Sequence, residues 1–144
     1  LREMRRVCKP GGVVAVRDAD YEAMTWWPRA APIERWLDVY RATAHANGAE
    51  PDAGRRLVSW AREAGFGDVR ASASVWCFAS PEEREWWGSL WADRSTGSSF
   101  AVQAREHGLA EADEQERIAA AWRAWADAED GWFVVVHGEV LARP

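Results

Sequence analysis

The sequence has few of the residues on which many familiar sites depend. Its 144 residues include two cysteines, three histidines and one lysine. Cys8 and Cys77 lie far apart and form no CxxC pattern, so we expect two buried, reduced thiols and neither a disulfide nor a zinc site. The isolated histidines likewise predict no metal site. No apolar run approaches the roughly 18 residues of a membrane span, and no signal peptide opens the chain, so a cytoplasmic location is expected.

The sequence also lacks a positive stripe and a glycine-rich phosphate loop. Lysine and arginine total 18 against 23 acidic residues, a net charge of -5, and the two signs are interspersed. A nucleic-acid backbone needs a basic surface, so nucleic acid is not an expected partner. The length suits one domain, and we expect a single unit over residues 1–144.

What the sequence does have is eleven tryptophans. Most follow the spacing of amphipathic helices, which predicts that they fill a core between helices and sheet. The residues in these stripes are Trp36, Trp60, Trp87, Trp91, Trp122 and Trp125.

Apolar periodicity and turn residues predict an alternating order of helices and strands. A first helix ends at Pro10-Gly11-Gly12, and Ser80 with Glu83 predicts a capping box at a later helix start. Asp113 to Glu116 offers a second capping pattern, and residues 95–99 are expected to form a loop. The predicted strands cover residues 13–16, 69–78 and 132–142, with Gly138 as a candidate bulge.

Two segments resemble class I S-adenosylmethionine-dependent methyltransferases of the ubiquinone and menaquinone biosynthesis type. The opening LREMRRVCKPGGVVAVRDAD is similar to the helix that leads into the fifth strand of that family, with Cys8 in place of the usual leucine. GRRLVSWAREAGFGDVRA is similar to the next unit, a helix that ends in A-G-F before the sixth strand. The resemblance covers essentially all of the chain and makes residues 132–142 the seventh strand.

This resemblance implies an α/β fold, the C-terminal half of a Rossmann-like class I methyltransferase sheet. We expect about three strands, the last one antiparallel and inserted beside the fifth-strand equivalent. Helical insertions are expected over about residues 21–50 and 81–130. The implied function is transfer of a methyl group from S-adenosylmethionine to an O, N or C acceptor. The family's donor-binding glycine loop and ribose-binding acid have no counterpart here, so no cofactor-binding residue is assigned and this segment is expected to be inactive alone.

Polar residues directly after the first predicted strand are the candidates for acceptor chemistry. Ligands of open α/β sheets lie beyond the carboxyl ends of parallel strands, where Arg17, Asp18, Asp20 and Tyr21 are expected. Asp18 is the candidate proton acceptor, and the other three are candidate substrate contacts. The alternative is that Asp18 and Asp20 only shape a loop.

Further candidate substrate contacts are Arg56 and the tryptophans Trp26, Trp27 and Trp86. The alternative for Arg55 and Arg56 is that both are solvent-facing or paired with Glu63 or Asp52. The tryptophans could wall a pocket for an aromatic or prenylated small molecule. Adjacent residues of a helix cannot both point inward, so Trp86 is a better pocket or interface candidate than Trp87. His137, in the middle of a predicted strand, is expected to be structural.

Two functions from different classes fit these features. The first is the acceptor-facing part of a small-molecule methyltransferase. The second is a non-catalytic domain that uses its Trp-rich helices for oligomerisation or partner binding. Strand 13–16 would also expose unpaired backbone, so self-association there or through the helices is expected.

Overall fold

The computed structural model describes all 144 residues and contains six α-helices, one short 3₁₀ helix and three strands. The helices are α1 (Arg2–Val7), α2 (Ala31–Ala46), the 3₁₀ helix Ala53–Arg56, α3 (Leu57–Glu63), α4 (Pro81–Gly97), α5 (Ser99–Glu106) and α6 (Ala112–Asp127). The strands are β1 (Val14–Trp27), β2 (Asp68–Phe78) and β3 (Trp132–Arg143). None of the helices has the length and apolar character needed to cross a membrane.

The three strands form one sheet in the order β1-β3-β2, with antiparallel neighbours. The last strand of the sequence therefore lies between the two earlier ones. This arrangement confirms the predicted α/β class and the insertion of an antiparallel final strand beside the first. It is consistent with part of a Rossmann-like methyltransferase domain.

The chain divides into two compact units. Unit 1 contains residues 1–24, 52–76 and 135–144, and unit 2 contains residues 25–51 and 77–134. The last residues of both β1 and β2 thus belong to unit 2.

Unit 1 has a small apolar core and one very close backbone contact. Val14, Ala61, Phe66 and Ala142 pack together, so the first turn of β1, α3 and the end of β3 share one cluster. A Cβ on Gly138 would overlap the carbonyl group of Gly54. Only glycine allows the 3₁₀ helix and β3 to approach this closely.

Unit 2 has an aromatic core around Phe133. Five tryptophan rings surround Phe133 with centroid separations of 5.4 to 6.4 Å: Trp26, Trp36, Trp87, Trp122 and Trp125. The predicted helix stripes are therefore confirmed for Trp36, Trp87, Trp91, Trp122 and Trp125, which are all buried. Trp60, in unit 1, is only half-buried.

Several predictions made from local sequence signals are confirmed. Ser80 accepts from the Glu83 amide, and the Glu83 carboxylate accepts from the Ser80 amide, which forms the predicted capping box. α1 ends before Pro10 as predicted. The strands predicted over 69–78 and 132–142 are confirmed within one residue at each end.

Other predictions were wrong. β1 continues to Trp27, so the polar residues after position 16 do not end it. α4 runs through most of the loop predicted over 95–99. The start of α6 has no side-chain cap, so the capping pattern predicted at Asp113 does not form. Cys8 and Cys77 are free as expected, but neither is buried.

The contact between Gly138 and Gly54 gives a test of the fold. Gly138→Ala should lower the free energy of unfolding by roughly 1 to 3 kcal/mol, because the added methyl group forces β3 and the 3₁₀ helix apart. Gly97→Ala is the matched control, since a Cβ there meets nothing within 4 Å at the end of α4. The control should be neutral or stabilise the chain by up to about 1 kcal/mol. Urea denaturation measures both, and equal effects would contradict the contact.

Candidate functional site

The length of β1 changes the position of four predicted site residues. Arg17, Asp18, Asp20 and Tyr21 were expected beyond the end of a strand, but all four lie within β1 in unit 1. That positional expectation was wrong. Their polar side chains are accommodated in a strand because unit 1 provides partners for several of them, as described next.

Asp20 is held by Arg55, a residue of the 3₁₀ helix. The Asp20 side chain is 5% exposed, and its two oxygens accept from Nε and Nη2 of Arg55 at 2.5 and 2.7 Å. Asp20 also accepts from the Ala23 amide at 3.2 Å. This paired geometry gives a strong, charge-assisted contact with fixed orientation.

The Arg55 guanidinium also contacts a second acidic residue, Glu22. Arg55 Nη1 lies 2.5 Å from Glu22 Oε2, and the buried Asp52 accepts from the Glu22 amide at 2.9 Å. The hydrogen bonds to Asp20 raise the pKa of Arg55. Both oxygens of Asp20 are therefore occupied by a permanent cation, which makes this carboxylate a structural anchor of β1 in the observed state.

A second polar group lies on β1, β2 and β3 and is called here the sheet-face cluster: Arg17, Ser72, Ser74, Trp76, His137 and Glu139. Glu139 accepts from Ser74 Oγ at 2.6 Å and from Ser72 Oγ at 2.9 Å. These hydroxyl groups lower the pKa of Glu139. Nε of Arg17 lies 3.4 Å from Glu139 Oε1, and the Arg17 guanidinium lies 5.1 Å from the centre of the Trp76 ring.

His137 is the buried member of this cluster. It is 5% exposed, its ring centre lies 4.4 Å from that of Trp76, and its Nδ1 has no hydrogen-bond partner. Burial lowers the pKa of His137, and the positive charge of Arg17 lowers it further, against weaker opposing effects of the Val135 backbone, Asp18 and Glu139. The neutral imidazole is therefore favoured in the folded chain.

Two grooves in unit 1 border these groups. One, of about 310 Å³, is lined by Ala15, Val16, Arg17, Ser72, Glu139, Val140 and Leu141. The other, of about 270 Å³, includes Asp20, Gly54, Arg55, His137 and Gly138 in its lining. Unit 1 thus presents both polar groups to open space.

The predicted tryptophan candidates separate into one buried and two exposed residues. Trp26 is buried, stacks on Phe133 at 5.6 Å and carries the Arg29 guanidinium at 4.7 Å from its ring centre. Trp27 and Trp86 are each 56% exposed. Trp86 rests against Phe78 and Trp87, so the predicted division between an outer Trp86 and an inner Trp87 is correct.

Unit 2 also has an apolar recess beside the end of β1. The recess measures about 200 Å³ and is lined by Pro28, Ala30, Ala121, Ala124 and Trp125. Trp125 Nε1 donates to the Trp27 carbonyl at 3.0 Å, and Trp27 Nε1 donates to Asp130 at 2.8 Å. These two bonds fix the aromatic residues around the recess.

Some residues of these sites were missed from the sequence. Arg55 was expected to be solvent-facing or paired with Glu63 or Asp52. It instead pairs with Asp20 and Glu22 of β1. The Arg56 side chain is exposed at the end of the 3₁₀ helix. The signal available for Arg55 was Gly54, since a glycine before an arginine pair permits the close approach that brings Arg55 to β1. Nothing in the sequence around His137 indicated that it is buried, because its burial depends on Trp76 of another strand.

Two curated proteins are similar to this chain over almost its whole length. An uncharacterized methyltransferase of Schizosaccharomyces pombe is 32% identical over 146 residues, which cover 98% of this chain and 50% of that protein. A probable methyltransferase of Aspergillus luteorubrus is 29% identical over 150 residues, which cover 99% of this chain and 52% of that protein. Both similarities support a methyltransferase. The chain spans about half the length of these curated relatives, and no protein-family profile matches it.

The Arg55 contacts predict that substitution of Arg55 lowers stability more than substitution of its neighbour Arg56. Arg55→Met should lower the free energy of unfolding by about 2 to 3 kcal/mol, because it leaves the buried Asp20 carboxylate without its cation. Arg55→Lys should recover only part of the loss, since an ammonium group cannot form the two parallel bonds. Arg56→Met, at an exposed side chain, should change stability by less than about 0.5 kcal/mol. Urea denaturation measures all three, and equal losses at positions 55 and 56 would be inconsistent with the contacts.

Burial of His137 predicts a pH effect on stability. A free histidine has a pKa of about 6.5, and that of His137 is lower in the folded chain. The stability from its neutral form is therefore complete above pH 6.5 and declines as the pH falls, because the unfolded chain takes up the proton first. The free energy of unfolding of His137→Gln should fall less than that of the wild type between about pH 7 and 5.5. A wild-type slope in His137→Gln would refute the prediction.

Proposed function

We propose that the chain is the acceptor-facing half of a small-molecule methyltransferase that takes its methyl group from S-adenosylmethionine. The similarity to both methyltransferases over 98% and 99% of the chain carries this proposal. The sheet supports it because its last strand, β3, is antiparallel and lies beside β1, as the resemblance found in the sequence implies. The relatives' names do not favour the non-catalytic alternative.

The residues of this chain do not fit a donor site of the dinucleotide-fold type. Such a site needs glycines where a strand passes into a helix, so that backbone amides can approach the ligand. The connection from β1 to α2 is Pro28-Arg29-Ala30, and the connection from β2 to α4 is Ala79-Ser80, so neither contains glycine. The four glycines with positive φ instead follow helices: Gly11, Gly48, Gly65 and Gly108. In the proposal, the donor is therefore bound by residues outside this chain.

The proposed acceptor surface uses the carboxyl end of β1 in unit 2. Ligands of open α/β sheets bind beyond such strand ends. The recess at Pro28 and Trp125 is lined by apolar and aromatic groups. Such a lining suits a planar aromatic or prenyl group. Trp26 is buried and stacks on Phe133. In the proposal the exposed rings of Trp27 and Trp86 remain candidate apolar contacts.

The polar candidates of unit 1 have a different role in the proposal. Asp18 is exposed and accepts from the adjacent Ala19 amide at 2.8 Å, so it remains the candidate proton acceptor. Arg17, Tyr21 and Arg56 remain candidate polar contacts to the acceptor. Asp20 contributes indirectly, since its clamp by Arg55 fixes the strand that carries the other three β1 residues. The main chemical contribution of this half is positioning of the acceptor.

Calorimetric titration with S-adenosylmethionine tests whether the donor is bound by residues outside this chain. The 144-residue chain alone should release no binding heat, whereas the longer polypeptide that contains the donor half should bind with a stoichiometry of one. A donor bound by the short chain would contradict the proposal. Absence of methyl transfer from labelled donor by the longer polypeptide, across a panel of aromatic and prenylated acceptors, would contradict the proposed activity.

A further inference from the structure

Strand β2 is an edge of the sheet that carries almost no protection against pairing. The order β1-β3-β2 leaves one side of its eleven residues without a neighbouring strand. Its side chains are mostly exposed, and residues 71–78 contain no charge and no proline. Proteins usually protect such edges with charges, prolines or bulges, because the unpaired backbone groups attract another strand.

The opposite edge of the sheet is different. β1 carries Arg17, Asp18, Asp20 and Glu22 in the middle of the strand. Charged residues of this kind discourage strand addition. Of the two edges, that of β2 therefore has the middle without charged residues.

The two faces of β2 have distinct compositions. One face carries the side chains of every second residue, which are Val69, Ala71, Ala73, Val75 and Cys77. Val75 is 57% exposed. The other face carries Arg70, Ser72, Ser74 and Trp76. One face is thus an apolar row and the other a polar row.

Alternate backbone groups of β2 point to its free edge. Successive residues of a strand direct their backbone donors and acceptors to opposite sides. Because β3 lies on one side of β2 only, every second residue of β2 directs its amide and carbonyl away from β3. These groups are available for exchange with another strand.

We propose that β2 pairs antiparallel with β2 of a second copy of this chain, about a two-fold axis at Ala73. Ala73 is the midpoint of the strand Asp68–Phe78, so this register pairs its full length. Ser72 of each copy then lies opposite Ser74 of the other, and the outward backbone groups of the two strands exchange hydrogen bonds. The two sheets become one continuous six-stranded sheet.

The side chains of β2 are complementary in this register. Arg70 lies across from Trp76, which favours a cation-π contact on the polar face. On the apolar face, Val69 lies across from Cys77 and Ala71 across from Val75, so small and larger groups alternate. No charged residue lies opposite one of the same sign, because Asp68 and Arg70 are the only charges on the strand. This self-complementarity is the reason to assign the edge to a second copy.

Cysteine cross-linking tests the register. In a chain with Cys8→Ser and Cys77→Ser, Ala73→Cys should form a disulfide-linked dimer on mild oxidation, because the two residues face each other at about 4.5 to 5.5 Å between Cα atoms. Ala71→Cys in the same background is the matched control. Its two copies would lie four positions apart, about 14 Å, beyond the reach of a disulfide. Equal cross-linking at both positions, or at neither, would overturn the register.

Sedimentation tests the interface without a covalent bond. The wild-type chain should sediment with twice the mass of one chain at high micromolar concentration, and Ala73→Ser should do the same. Ala73→Lys should sediment as a single chain, because two ammonium groups would meet at the axis. Circular dichroism checks that Ala73→Lys is folded. The cross-linking of Ala73→Cys and Ala71→Cys tests the proposal independently of this variant. A wild-type single chain, or a dimer that persists in Ala73→Lys, would overturn the proposal.

Discussion

The structure depends on the position of β3 between β1 and β2. An inner strand uses its backbone groups on both sides, and this one also supplies residues to both cores and to the sheet-face cluster. Phe133 is the centre of the aromatic core of unit 2. In unit 1, His137 and Glu139 belong to the sheet-face cluster, Gly138 permits the approach of the 3₁₀ helix, and Ala142 completes the apolar core. A change of register in this strand would displace all of these residues at once.

The features that could be predicted from sequence are those with local causes. The capping box at Ser80 needs only residues within one turn of α4. The burial of Trp36 and Trp122 follows from apolar spacing on their own helices. An antiparallel final strand beside the first was expected from a resemblance carried by short motifs, and the structure has this arrangement.

The features that could not be predicted have causes that are distant in sequence. The polar residues of β1 were interpreted as its end because nothing nearby satisfies them. Their partners are Arg55, which is 35 positions after Asp20, and Glu139 on the last strand. The burial of His137 likewise depends on Trp76 of another strand. A candidate site composed of such contacts becomes visible only when the strands are paired.

The aromatic core of unit 2 has a consequence for spectroscopy. Nine of the eleven tryptophans lie in unit 2, and Trp60 and Trp76 are the two in unit 1. Five buried indoles, those of Trp26, Trp36, Trp87, Trp91 and Trp122, have no hydrogen-bond acceptor at Nε1. Such indoles lack the polar stabilisation of the excited state, so their emission lies at short wavelength and shifts to the red when water enters. The intrinsic fluorescence of this chain is therefore mainly a signal of unit 2. Far-ultraviolet circular dichroism reports the helices and strands of both units, so a comparison of the two signals tests whether unit 2 unfolds together with the rest of the chain.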